Sequence, residues 1–116
     1  MGSVNRITLV GHLGDKPEVR ATPGGKMVCN FGLATNHTYK KEDGTTVEST
    51  DWHRIVAWGG LAETCGKYLE KGSQVYVEGR MTYREWQDKD GKERMSAEVI
   101  ADDVQFLSKK SGAKEE

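Results

Sequence analysis

Aromatic and basic side chains recur together in this chain at even spacings. In Ser49-Thr-Asp-Trp-His-Arg-Ile-Val-Ala-Trp-Gly-Gly60, an extended backbone sends Trp52, Arg54, Val56 and Trp58 to one face and His53, Ile55 and Ala57 to the other. The second set suits a core, so the first carries two indoles and a guanidinium on the outside. Further along, Val75, Val77, Gly79, Met81 and Tyr83 alternate with Tyr76, Glu78, Arg80, Thr82, Arg84 and Trp86. Arg80, Arg84 and Trp86 therefore share a polar face. Tyr39-Lys40-Lys41 repeats the combination. Open rings stack on flat π-faces, for ~1–3 kcal/mol per unpaired base whatever its identity. Arginine adds forked hydrogen bonding to phosphate as well as stacking. Duplex DNA hides its base faces, so rings interleaved with cations on an extended surface suit a single strand.

Each of these residues also has a plainer reading. A lone Trp on a small barrel more often packs in the core or at the rim. Trp86 could cover a hairpin end, Tyr39 could fill a loop, and the arginines could pair with Glu78 or Glu85 on a solvated face. The binding reading rests on the set, because the inner faces of the same strands are already filled. Other chemistry is weakly supported. Asp88-Lys-Asp-Gly91 reads as a turn, and Asp102-Asp103 as a polar break in a strand. Gly24-Gly25-Lys26 lacks phosphate-loop spacing, and the pattern gives no serine a histidine partner. No catalytic residue, metal site or cofactor is expected. Cys29 and Cys65 lie 36 positions apart without metal-ligand spacing and read as buried free thiols.

A chain of 116 residues is long enough for one core. Seventeen Lys+Arg against 18 Asp+Glu leave a net charge of −1, which is silent on nucleic acid because a groove needs local basic density. No apolar run approaches the ~20 residues that span a bilayer, and there is no signal-peptide core, so a cytoplasmic location is expected by default.

Five strands and a helix must position the rings. Val4 to Val10 is the first strand, bent at Gly11, and His12 to Gly25 reads as a long loop. Met27, Cys29, Phe31 and Leu33 alternate as the second. The polar segment Asn36 to Thr50 turns at Asp43-Gly44 into the third, the stretch quoted above. Leu61, Cys65, Tyr68 and Leu69 form one face of a three-turn helix with Gly72 as its C-terminal cap. Val75 to Tyr83 is the fourth strand. The fifth runs from Met95 through Ala101 and resumes at Val104 and Phe106. This all-β arrangement, a five-stranded Greek-key barrel with one short helix between strands 3 and 4, is the OB-fold. Residues 1–107 form the domain; 108–116 form a polar tail expected to be disordered.

Val4-Asn-Arg-Ile-Thr-Leu-Val-Gly11, Pro17-Glu-Val-Arg20, Leu33-Ala-Thr35, Thr50-Asp-Trp-His-Arg54, Lys71-Gly-Ser-Gln-Val-Tyr76 and Val77-Glu-Gly79 stand in order along residues 4 to about 107. On these blocks the chain resembles the bacterial single-stranded DNA-binding protein family, whose members coat exposed strands in replication, recombination and repair. The resemblance implies base stacking at Trp52, Trp58, Trp86 and, with a smaller ring than many members have, Tyr39. It implies phosphate contacts at Arg6, Arg54, Lys71 and Arg84, beside Lys40 from the Tyr39-Lys40-Lys41 cluster and Arg80 from the alternation. It also implies a subunit contact at His53, a homotetramer built as two dimers, and a cytoplasmic, nucleoid-associated location. Two departures stand out. Glu85 occupies a place where the family often has a cation. The sequence also ends at Lys114-Glu-Glu116, without the long tail and acidic, Phe-containing tip through which members recruit replication and repair proteins; such partners are expected only of a chain carrying that tail. A primosome-type protein adaptor or an RNA-binding barrel are the alternatives.

Overall fold

The computed structural model describes residues 2–108. In chain order the elements are β1 (Ile7–Leu13), β2 (Glu18–Ala21), β3 (Met27–Lys40), β4 (Thr46–Trp58), α1 (Gly60–Tyr68), β5 (Gln74–Gln87) and β6 (Glu93–Phe106). The sheet order is β1-β5-β6-β4-β3-β2, and a further β1–β3 pairing closes five of these strands into a ring. Neighbours pair antiparallel except β4 with β6, which run parallel at Ile55↔Val99 and Val56↔Ile100. This is the OB-fold expected from the strand pattern.

Gly11 explains how one short strand serves two partners. β1 pairs with β5 from Ile7 to His12, and with β3 at His12 and Leu13. A Cβ on Gly11 would collide with the Ala34 carbonyl oxygen, so only glycine lets β1 bend onto β3 at that distance. The second close approach is at Gly79. There a bulge leaves Asp102 without a partner, because Glu78 faces Asp103 and Gly79 faces Ala101.

Inward-facing Cys29, Phe31, Leu33, Ile55, Ala57, Val75, Val77, Val99 and Ala101 fill the barrel, and α1 adds Ala62 and Cys65 at one end. Both cysteines are free and fully buried; desolvation pushes the Cys29 thiol up to about 11. Desolvation, with a smaller contribution from nearby Cys29, pushes Cys65 up to about 12.

Five expectations are corrected. The first strand begins at Ile7 rather than Val4 and continues through Gly11 to Leu13. The expected loop from His12 to Gly25 contains β2, an edge strand paired with β3. As a sixth strand it puts α1 between the fourth and fifth in this numbering. β3 and β4 run on through the polar segment, with only residues 41–45 as the turn. α1 ends with Leu69 as its cap residue, and Gly72 (φ 89°) instead serves the Glu70–Ser73 turn. Asp102-Asp103 bulges β6 without breaking it. Of the tail expected over 108–116, residues 109–116 lie outside the described residues.

Candidate nucleic-acid interface

Register brings the aromatic and basic side chains of several strands onto one outer face. Along β4, Trp52, Arg54, Val56 and Trp58 alternate outward, opposite Ala34, Gly32, Asn30 and Val28 of β3. β2 continues the rows with Arg20 beside Val28 and Glu18 beside Asn30. On the other side the parallel Val56↔Ile100 pairing puts Glu98, Ser96 and Arg94 of β6 on the same face. β5 then adds Arg80, Thr82, Arg84 and Trp86, opposite Ile100, Glu98, Ser96 and Arg94. The result is one surface five strands wide, carrying all three tryptophans.

The rings are open to solvent, with Trp52 63%, Trp58 45% and Trp86 44% exposed. Trp52 lies across backbone that has no side chains of its own. Its ring is 3.7 Å from where a Gly32 Cβ would stand, and a Cβ on Gly14 would overlap it. Gly14 is held there by its N–H donating to the Gly32 carbonyl at 3.2 Å. Asp15, Lys16, Glu18, Asn30 and Arg54 border the same hollow, so the ring is reached through mixed charge. Trp86 is fixed differently: its Nε1–H donates to Ser96 Oγ at 2.9 Å across the β5–β6 hairpin. That bond sets the indole's orientation and leaves its surface half open.

Between the rings sits Glu98, the one charged residue buried among the described residues, at 7% exposure. Arg54 Nε and Arg84 Nη2 each donate to its Oε2 at 3.1 Å, while roughly half of each arginine side chain remains exposed. Arg20, Asn30, Val56 and Trp58 line the same hollow. The sequence offered Glu78 or Glu85 as partners for these arginines. The actual partner is 44 positions from Arg54 and is set by the parallel β4–β6 seam. Its signal in the sequence was its outward alternation between Ala97 and Val99. Gly14, Gly32, Asn30, Arg20 and Lys16 also went unremarked as parts of this face.

The remaining candidates are spread more widely. Arg6 pairs with Glu78, in a hollow shared with Arg80, Asp102 and Asp103. Lys71 follows α1, in a groove with Lys16 and Lys67. Tyr39 alternates with Phe31 and Leu33, so it lies on the side of β3 opposite the tryptophans, stacked against His37 at 6.0 Å. Lys40, one residue on, points to the tryptophan side. His53 alternates inward and shares a 2.9 Å hydrogen bond with Thr35 Oγ1. Tyr83, read as inward-facing, is 63% exposed because the β5–β6 hairpin projects beyond the core. Among the described residues, no helix is long and apolar enough to cross a membrane, and no group of three His, Cys, Asp or Glu is arranged to hold a metal ion.

A closed five-strand ring with indoles and guanidinium groups side by side on one open face defines an OB-fold barrel with an aromatic–cation binding surface. The chain belongs to the single-strand binding protein family, whose profile matches residues 4–107. It is 48% identical over 108 residues to "Single-stranded DNA-binding protein 1" of Chlorobaculum tepidum, covering 92% of this chain and 67% of that one. It is 46% identical over 105 residues to "Single-stranded DNA-binding protein" of Neisseria meningitidis, covering 90% and 60%. The chain thus spans about three fifths to two thirds of the length of these relatives. Among solved structures, the "Plasmodium falciparum SSB complex with ssDNA" superposes with a TM-score of 0.86 at 33% identity, covering 93% of this chain and 98% of that one. A deletion mutant of the single-stranded DNA-binding protein from Thermus aquaticus gives 0.80 at 36% identity, covering 92% and 52%.

Proposed function

We propose that this chain binds single-stranded DNA without regard to sequence and performs no chemistry on it. Bases stack on Trp52, Trp58 and Trp86, and phosphates meet Arg54, Arg84 and Arg80 between them. The carrying observation is the single outer face on which three half-open indoles and these guanidinium groups alternate. Membership in the single-strand binding family and the names of the relatives support the same reading. Lys71 and Lys40 extend the cationic path beyond the barrel wall. Tyr39 and Arg6 join it only where the strand wraps past the edge of this face.

In the cell this activity protects exposed strands during replication, recombination and repair, in the cytoplasm at the nucleoid. The binding unit is a homotetramer of two dimers with His53 at a subunit contact, and the barrel within residues 1–107 is the DNA-binding domain.

Fluorescence titration with poly(dT) tests the reading, since bases stacked on the indoles quench them. Strong quenching is expected, with log affinity falling linearly in log salt by about 0.7 per phosphate neutralised. Absence of quenching at low salt removes the proposal. Tighter binding of ribo- than of deoxyribo-oligomers in competition favours an RNA-binding barrel, since only RNA offers a 2′-hydroxyl, and a hetero-complex without oligonucleotide binding favours an adaptor. Light scattering that returns a monomer mass removes the tetramer.

A further inference from the structure

We infer that Glu98 is a positioning residue for the binding face: it is the anchor that holds Arg54 and Arg84 in their outward poses, rather than a counter-charge that opposes the ligand. The inference rests on the single-strand-binding reading above. A carboxylate 7% exposed on the outer face of a barrel is costly to keep ionised unless it is paired and hydrogen-bonded. Here both conditions are met by two arginines from different strands, each 3.1 Å from the same oxygen.

The geometry separates anchoring from neutralisation. A guanidinium has five N–H donors. Arg54 uses its Nε and Arg84 one Nη2 on Glu98, so the remaining donors are available at the surface, where the two side chains are 52% and 59% exposed. A phosphate that drew either arginine off Glu98 would strip a buried carboxylate of a partner, so the arginines bind it where they stand. The trio keeps one net positive charge. Without the anchor, two long side chains must be ordered each time the strand arrives, and ordering a rotamer-rich side chain weakens association. Trp58 lines the same hollow, and Trp86 lies two residues beyond Arg84 on β5, so the fixed cations alternate with fixed rings.

Two substitutions separate reach from charge. Glu98→Asp keeps the charge but shortens the side chain by one methylene. Glu98→Gln keeps the reach and an acceptor oxygen but removes the charge. Both are compared with the parent by oligo(dT) fluorescence titration at two salt concentrations, with thermal unfolding as a check on the fold. Anchoring predicts that the Asp variant binds roughly tenfold more weakly, the scale of ordering two arginines on association, and that the Gln variant binds no tighter than the parent. A pure counter-charge predicts the reverse order: Gln tighter than parent with a steeper salt slope, and Asp unchanged. Either of those results overturns the inference. If Glu98→Asp does not fold, the Gln variant decides alone, since tighter binding refutes anchoring and equal or weaker binding supports it. A parent that fails to quench at low salt removes the single-strand reading itself, whereas a quenching parent with an unaffected Asp variant removes only the role of Glu98.

Discussion

The β3–β4 and β5–β6 hairpins leave the barrel with nearly the same construction. Each has arms of 13 or 14 residues and turns on an Asp-Gly pairing: Asp43-Gly44 in one, Asp88 and Gly91 in the other. Asp43 Oδ1 accepts the Thr45 backbone N–H and Asp88 Oδ1 those of Asp90 and Lys92, and in both turns the glycine takes a positive φ, 89° at Gly44 and 80° at Gly91. They differ in register. β3–β4 holds unbroken pairing from Val28↔Trp58 to Lys40↔Thr46, whereas β5–β6 is bulged at its root between Glu78 and Gly79. They differ also in which face carries the terminal ring. Trp86 falls on the side of Arg84 and Ser96, and Tyr39 on the side of Leu33. With a side-chain period of two, a single step in position moves a ring from the binding surface to the opposite one.

The sharpest break in this comparison lies at the roots of the two arms. Gly79→Ala drives a Cβ into the Ile100 carbonyl oxygen, and backbone cannot yield cheaply, so a loss of about 3 kcal/mol in urea-unfolding stability is expected. Gly32→Ala, the counterpart in β3, meets nothing nearer than the Trp52 ring at 3.7 Å, an ordinary contact, and is expected to cost less than about 1 kcal/mol. Similar losses at both sites would mean that the bulge is not a point of close approach.

The rings give the next effect. Trp86→Ala is expected to weaken oligo(dT) binding by ~1–3 kcal/mol, the value of one stacked base. Tyr39→Ala is expected to cost less than half of that, because its ring is across the arm from the tryptophans. Equal losses would show that the strand uses both sides of the β3–β4 arm.

The smallest effect is on the tips, in acid. The Arg94 guanidinium, with the Lys92 and Asp90 N–H groups, holds the Asp88 carboxyl below the usual carboxylate range; at Asp43 the Thr45 backbone N–H and side chain do the same. A depressed carboxyl stabilises the fold fully above its unfolded value and loses that contribution as pH falls through the folded one. Both turns are therefore expected to loosen only well into acid, seen as lower protection of the Gly44 and Gly91 amides relative to the free-chain exchange rate at the same pH. Salt at neutral pH is expected to speed exchange at Gly91 alone, since among the described residues only that turn includes an ion pair.

What could be read from the sequence follows the reach of each interaction. Trp52, Arg54, Val56 and Trp58 share a face because alternation is local, and the same reasoning separates the inner set of β5 from the outer. The side that Tyr39 takes is not legible locally, for a physical reason. The second strand was ended at Leu33, and only a strand running on to Lys40 carries the alternation far enough to assign the tyrosine a side. β2 had no local signal, since all four of its residues are exposed and it follows Pro17; it exists because β3 offers an edge to pair with. Gly72 sits in a left-handed turn as its type suggests, three residues past the cap it was assigned to. Glu98 could be seen to face outward, but its partners depend on which strands become neighbours.

The parallel seam between β4 and β6 also orders the events of synthesis. A ribosome that has released the chain only through Gln87 has delivered both rings of β4 and the indole of β5, yet the cylinder still has a gap between β4 and β5. Only when Val99 and Ile100 arrive beside Ile55 and Val56 can it shut. Until then the apolar lining is accessible from the side, and the nascent protein has its binding rings before it has a closed wall behind them.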